Sequence, residues 1–162
     1  MSINISIIQL LQDNFIDQVL LTLAENDLEP EDIELEIIET ILMETFDEVK
    51  EKLHLLRQKN INIALDDFGK GYSSLSYLKQ LPITTMKIDK SFIDGILEEE
   101  DDFLSNVIAL GKEMGMCVVA EGVEVESQLT YLKRHNCDII QGYLFSRPKP
   151  GEYILDFLTR SN

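Results

Sequence analysis

The sequence predicts an α/β fold in which about six parallel strands alternate with helices and the sheet curls toward a (β/α) barrel. Three observations lead there. Short β-branched or apolar runs recur between longer segments of helical period. No linker, low-complexity tract or charge block divides the 162 residues, so one domain is expected. Polar residues also stand at the carboxyl end of nearly every predicted strand, which is where barrels assemble their sites. An open doubly wound sheet fits the same rhythm; the strand ends are what favour the barrel.

The elements follow in order. "INIS" (3–6), "IELEIIE" (33–39), "INIAL" (61–65), "TTMKI" (84–88), "CVVAE" (117–121) and "CDIIQG" (137–142) read as strands. They are short, apolar and rich in β-branched residues. Residues 12–28, 45–60, 73–81, 101–115 and 126–136 read as helices, and 151–161 close the chain as another. Within 45–60, Val49, Leu53 and Leu56 fall at i, i+4 and i+7, one helical face suited to packing on a sheet. The prolines of "LPI" and "RPKP" supply stops.

Composition bounds the function. With 44% hydrophobic and 27% charged residues the chain reads as globular. It contains no apolar run near the roughly 20 residues that span a bilayer. "MSINISIIQLLQDNF" has neither a basic start nor a small-residue cleavage site, so no signal peptide is expected and a cytoplasmic location is. Cys117 and Cys137 fit no metal-ligand or disulfide spacing and read as buried, reduced thiols. The formal net charge of −16 repels nucleic acid polymers and anionic lipid. An anionic phosphate ligand would therefore need a cation between it and the protein, and a divalent metal is the usual one.

The strand ends present Asn4, then Glu36 and Glu39, then Asp66 and Asp67, then Lys87 and Asp89, Glu121 and Glu124, and Gln141. Taken singly, each has an ordinary structural explanation. An Asp-Asp pair can cap a turn before Gly69, Glu34 and Glu36 can mark a solvated face, and Lys87 and Asp89 can form a weak same-face ion pair. Taken together at one barrel mouth, these are hard oxygen donors suited to Mg²⁺, Mn²⁺ or Ca²⁺. Adjacent aspartates can each bind one ion or bridge two, and two ions about 3.5–4 Å apart clamp an in-line displacement at phosphorus. A lysine among them would stabilise phosphate charge or orient the attacking water. "GKGYSS" lacks the glycine pattern of a dinucleotide or P-loop fingerprint and reads as a mobile loop beside the acids.

Several stretches in register carry a family resemblance: "DDFGKGYSSL" (66–75), "MKIDKSFI" (86–93), "VVAEGVEVESQ" (118–128) and "CDIIQGYLFSRPKP" (137–150), with "INIS" and "LEIIET" (35–40). They resemble the EAL-domain family of bacterial cyclic di-GMP phosphodiesterases, which linearise that dinucleotide to pGpG on a TIM-like barrel with two Mg²⁺ or Mn²⁺ ions. The resemblance implies that Asn4, Glu36, Asp66 and Asp67 are metal ligands and that Glu121 is a further acid near them. It implies that Lys87 assists the attacking water and that Glu39 ties down the loop after Asp67. It makes Asp89, Glu124 and Gln141 pocket-lining or supporting residues.

Three departures qualify the expectation. Lys70 stands where the family has threonine, and Ile38 replaces a threonine in the family's E-x-T-E pattern, a mild change. The chain also opens at what corresponds to the third barrel strand, without the strand bearing the Glu-Ala-Leu signature and its metal-binding glutamate. Residues 1–162 are accordingly expected to form an incomplete TIM-like barrel whose two-metal site lacks that ligand. Activity in isolation is expected to be weak or absent, and a second copy or an upstream domain is expected to complete the open edge. The alternative is a degenerate module that binds cyclic di-GMP or docks a partner without turnover.

Overall fold

The structure, a computed structural model, describes residues 1–38, 46–69, 75–97, 102–151 and 153. Its centre is one sheet of six strands: β1 (Ser2–Asn4), β2 (Glu34–Ile38), β3 (Asn62–Phe68), β4 (Thr85–Ile88), β5 (Cys117–Ala120) and β6 (Ile139–Ile140). Every strand pairs in parallel with the next, in the order β1 to β6. A doubly wound sheet reverses direction at a switch point. This sheet never does, so its crossovers all step the same way and it forms an arc of a (β/α) barrel.

The helices are α1 (Ile7–Leu10), α2 (Phe15–Glu25), α3 (Phe46–Gln58), α4 (Leu75–Leu78), α5 (Lys90–Asp94), α6 (Asp102–Glu113) and α7 (Glu126–Arg134). Two of these, α1 and α5, depart from the sequence expectation. Ser6 ends the first predicted strand early because it caps α1: its hydroxyl accepts from the Gln9 amide at 3.2 Å, and Gln9 Oε1 accepts from the Ser6 amide at 3.0 Å. Asp89 caps α5 in a similar way. β3 runs further than predicted, through both aspartates, and β6 is shorter. Most of the predicted closing helix, 151–161, lies outside the described residues.

Strand side chains alternate between two environments. On the helix side, Leu35, Ile37, Ile63, Leu65, Met86, Ile88, Val118 and Ala120 are buried with Val49, Leu53 and Leu56 of α3 and with Leu104 and Ile108 of α6. Gly111 lets α6 lie close to the sheet: a Cβ there would stand 2.6 Å from Met86 Cε and 2.7 Å from Val118 Cγ2. The opposite face carries the polar strand residues, with Ala64 and Val119 buried among them. Thr85 there donates a short hydrogen bond to Glu34, and Ser2 donates to Glu34 at 3.2 Å. A parallel sheet normally reads as continuous apolar sequence because both faces are covered. The polar positions interrupting these strands therefore gather on the face turned away from the helices.

Asp138 ties β5 to the turn before β6. Its Oδ2 accepts from the Val118 amide at 2.9 Å, and its Oδ1 accepts from Lys112 Nζ at 2.8 Å. The Lys112 hydrogen bond, then the Val118 amide, hold its carboxyl below the usual carboxylate range. A depressed pKa contributes stability above the unfolded pKa of about 3.9 and loses it as pH falls through the folded value. Asp138→Asn is expected to lower unfolding free energy by about 1 kcal/mol at pH 7. Urea titrations should show the gap closing below about pH 4. A gap independent of pH would assign the effect to shape rather than charge.

Cys117 and Cys137 are free but half-buried, not fully buried as expected: Cys117 opens β5 and Cys137 lies in the turn before β6. Burial pushes the Cys137 thiol up to about 11, so it stays protonated at neutral pH.

Candidate active site at the strand ends

The acidic pair owes its placement to an irregularity. Along β3 and β4, Leu65 pairs with Met86 and Phe68 with Ile88. Two residues, Asp66 and Asp67, therefore stand against Lys87 alone, which is a β-bulge. Asp67 takes a left-handed backbone, φ 56°, a conformation aspartate tolerates better than most residues. Its amide donates to Asp66 Oδ1 at 2.9 Å. The bulge breaks the strict alternation that would otherwise send neighbouring side chains to opposite faces.

Lys87 is the centre of the site. It is only 7% exposed, and its ammonium lies 2.8 Å from Glu36 Oε1, 2.8 Å from Glu121 Oε1 and 3.4 Å from Asp66 Oδ1. Three strands and the turn after β5 thus deliver four charged groups to one point. Burial alone would lower the lysine pKa. The hydrogen bonds to Glu121 and Glu36, with the charges of Glu121 and Asp66, more than offset it and carry the pKa well above the ordinary lysine range. Burial pushes the Glu121 carboxyl up, only partly opposed by Lys87. Lys87 is therefore a fixed cation and Glu121 a carboxylate that accepts a proton more readily than its neighbours' chemistry would suggest.

Asn4 lies on the exposed edge strand, in register with Glu36. Asp89, Glu121, Glu124 and Gln141 line a cleft of about 350 Å³ together with Lys90 and Tyr143. Asp89 Oδ1 also accepts from the Ser91 amide at 3.0 Å, so it is a helix cap as well as a lining residue. Glu124 lies 3.4 Å from Lys90 Nζ. Gln141 joins the turns, its amide donating to the Ala120 carbonyl and its carbonyl accepting from the Val123 amide. Glu39 and Lys70 lie outside the described residues.

One supporting residue escaped the sequence reading. Gln128 is 3% exposed; its Oε1 accepts from the amides of Glu124 at 2.8 Å and Val125 at 3.2 Å, and its Nε2 donates to the Ile93 carbonyl. It pins the turn that bears Glu124. Its position at the third residue of α7, where a glutamine can reach back to the chain before the helix, was the available signal.

The donor chemistry suits a hard divalent ion: the candidate ligands offer only carboxylate and amide oxygen. Among the described residues, no three His, Cys, Asp or Glu side chains already stand as a metal-holding group. Glu36, Asp66 and Glu121 instead converge on the Lys87 ammonium. The set fits a metal by chemistry, with the carboxylates gathered by a lysine.

A model of the EAL domain family matches residues 1–148. A bifunctional diguanylate cyclase/cyclic di-GMP phosphodiesterase, MucR of Pseudomonas aeruginosa, is 39% identical over 156 residues, 95% of this chain and 23% of MucR. The cyclic di-GMP phosphodiesterase NbdA of the same organism is 40% identical over 147 residues, 90% of this chain and 19% of NbdA. The chain thus spans about a fifth to a quarter of these relatives' lengths. A MucR phosphodiesterase solved as a cyclic di-GMP complex superposes with a TM-score of 0.88 at 39% identity, covering 94% of this chain and 63% of that one. Klebsiella pneumoniae BlrP1, solved with manganese and cyclic di-GMP, gives a TM-score of 0.81 at 29% identity, covering 91% of this chain and 38% of that one.

Proposed function

Because the chain belongs to the EAL domain family, we propose that its strand-end acids form a site for metal-dependent hydrolysis of cyclic di-GMP to linear pGpG. The observation that carries this reading is the Lys87 ammonium held 2.8 Å from both Glu36 and Glu121, with Asp66 at 3.4 Å, where β3 bulges against β4. Asn4, Glu36, Asp66 and Asp67 would hold the ions, Mg²⁺ or Mn²⁺. When bound, such ions supply a water of lowered pKa and neutralise charge developing on the phosphoryl oxygens. Lys87, locked as a cation, is unsuited to take a proton and instead orients the water and stabilises phosphate charge. Glu121 can accept a proton within the cluster. Asp89, Glu124 and Gln141 shape the adjoining cleft, and Glu39 would restrain the loop after Asp67.

A dinucleotide carrying two phosphates meets a strongly acidic protein here, so cations are needed for binding as well as chemistry. The exposed edge of β1, with Ile3 38% exposed, would be covered by a second copy or by an upstream domain. No helix among the described residues is long and apolar enough to cross a membrane.

The second reading is nucleotide binding without turnover, with weak or no hydrolysis by residues 1–162 alone. It asks only that the acids and the cleft of Asp89, Glu124 and Gln141 hold the nucleotide through cations, with no attack on phosphorus. Incubation of the purified chain with cyclic di-GMP and Mn²⁺, followed by chromatography of the linear product, separates the two. Turnover that disappears in the Asp66→Asn, Asp67→Asn double variant supports hydrolysis. No turnover with saturable nucleotide uptake supports the binding module, and neither would overturn both.

A further inference from the structure

The five-residue helix α5 touches two of the acid-bearing loops, one on each side. Gly69, two residues after Asp67, has φ 100° and lies against the ring of Phe92: a Cβ built there would stand 2.3 Å from Phe92 Cε2 and Cζ. Gly122, the residue after Glu121, has φ 71° and lies against the stem of Lys90: a Cβ there would stand 2.6 Å from Lys90 Cβ and 2.5 Å from its Cγ. Both glycines combine a left-handed backbone with a contact that leaves no room for a side chain.

The helix itself is anchored at both ends of this arrangement. Asp89 caps it two residues after Lys87, through Ser91 N at 3.0 Å and Ser91 Oγ at 2.6 Å. Phe92 is backed by Phe103 of α6, the rings stacked with centroids 5.6 Å apart. Lys90 Nζ bonds Asp94 Oδ1 at 2.6 Å and reaches Glu124 Oε1 at 3.4 Å.

We propose that α5 is a two-sided spacer for the site: Phe92, seated on Gly69, fixes the Asp66–Asp67 bulge, and Lys90, seated on Gly122, fixes the Glu121–Glu124 turn. Both are positioning residues that act through the carboxylates; the Lys90 head also borders the cleft. The proposal rests on the hydrolase reading of those carboxylates. Its physical basis is that a metal or phosphoryl site tolerates little displacement of its ligands, so supporting contacts commonly govern affinity by 10–100-fold.

The test uses the full chain with Phe92→Ala, Phe92→Leu and Lys90→Ala. Hydrogen exchange without metal reads the spacer directly. Phe92→Ala should speed exchange at the amides of Asp67, Phe68 and Gly69, while Phe92→Leu, which refills most of the space, should restore most of the protection. Mn²⁺ titration by calorimetry should then show about tenfold weaker uptake in Phe92→Ala. Its kcat should fall by a similar factor with KM nearly unchanged. Lys90→Ala removes the stem against Gly122 and should speed exchange at the amides of Glu121 and Val123; unchanged exchange there overturns the Lys90 half of the spacer.

Unchanged exchange at 67–69 in Phe92→Ala overturns the spacer. Faster exchange with Mn²⁺ uptake equal to the parent's overturns its positioning role and leaves the ring a core residue. Faster exchange in the variant, with a parent that takes up no Mn²⁺, supports the spacer and removes the hydrolase reading instead.

Discussion

Lys87→Met is expected to destabilise the metal-free chain by about 3 kcal/mol and, on the hydrolase reading, to lower kcat by about 10²–10³. Methionine matches the length of the lysine stem and removes only the ammonium. What remains is Glu36, Asp66 and Glu121 facing one another, with side chains 7%, 17% and 22% exposed. Removing one partner from a buried ion cluster commonly destabilises by about 3–5 kcal/mol, because the surviving charges lose their compensation while still desolvated. The lower end applies, since Asp66 and Glu121 retain some water. The kinetic loss has a separate origin: a preorganised cation aimed at developing charge is worth about 10²–10³ in kcat. Urea titrations with and without Mn²⁺ should separate the two roles. Divalent cation bound by the freed carboxylates should recover much of the stability and none of the rate. A metal-free variant as stable as the parent would show that the cluster carries no net electrostatic coupling.

The contrast between what could and could not be read from the sequence follows the range of the interactions. Polar residues recurring at strand ends pointed to the candidate site because they interrupt the apolar runs that a covered parallel sheet favours. Val49, Leu53 and Leu56 announced α3 because a helical face is written locally. The bulge at Asp66–Asp67 was hidden, since it exists only in the pairing of β3 with β4. The partners of Lys87 were hidden for the same reason. Asp89 offered a local ion pair two residues away, whereas Glu36, Asp66 and Glu121 come from three other parts of the chain. Helix α5 was missed because five residues are too few to show a period, although Asp89 before Lys90 was a legible cap. Glu39, expected to restrain the loop after Asp67, lies outside the described residues.

Gly142→Ala is expected to be the most disruptive alanine substitution among the described glycines, destabilising the chain by about 4 kcal/mol or more. The position looks like an ordinary loop glycine in "QGY", and its backbone needs no left-handed conformation. Its constraint is backbone against backbone. A Cβ would stand 2.0 Å from the Val123 carbonyl oxygen, 2.3 Å from the Val123 nitrogen and 2.7 Å from its carbonyl carbon. No rotamer change relieves such a clash, so the turn after β6 must move away from the turn after β5. That movement breaks the Val123 amide bond to the Gln141 carbonyl at 3.1 Å and the Leu144 amide bond to the Val123 carbonyl at 3.0 Å. Val123 is fully buried, so the separation would also open the core beneath it. The displaced segment carries Gln141 and Tyr143, two walls of the cleft beside Glu121. Loss of stability and loss of nucleotide uptake should therefore appear together. Gly151→Ala, where an added methyl meets nothing within 4 Å, is the control and should leave both unchanged. If thermal melting of Gly142→Ala matched the parent's, the two turns would not be held in contact in solution, and the cleft between them would not be a formed binding surface.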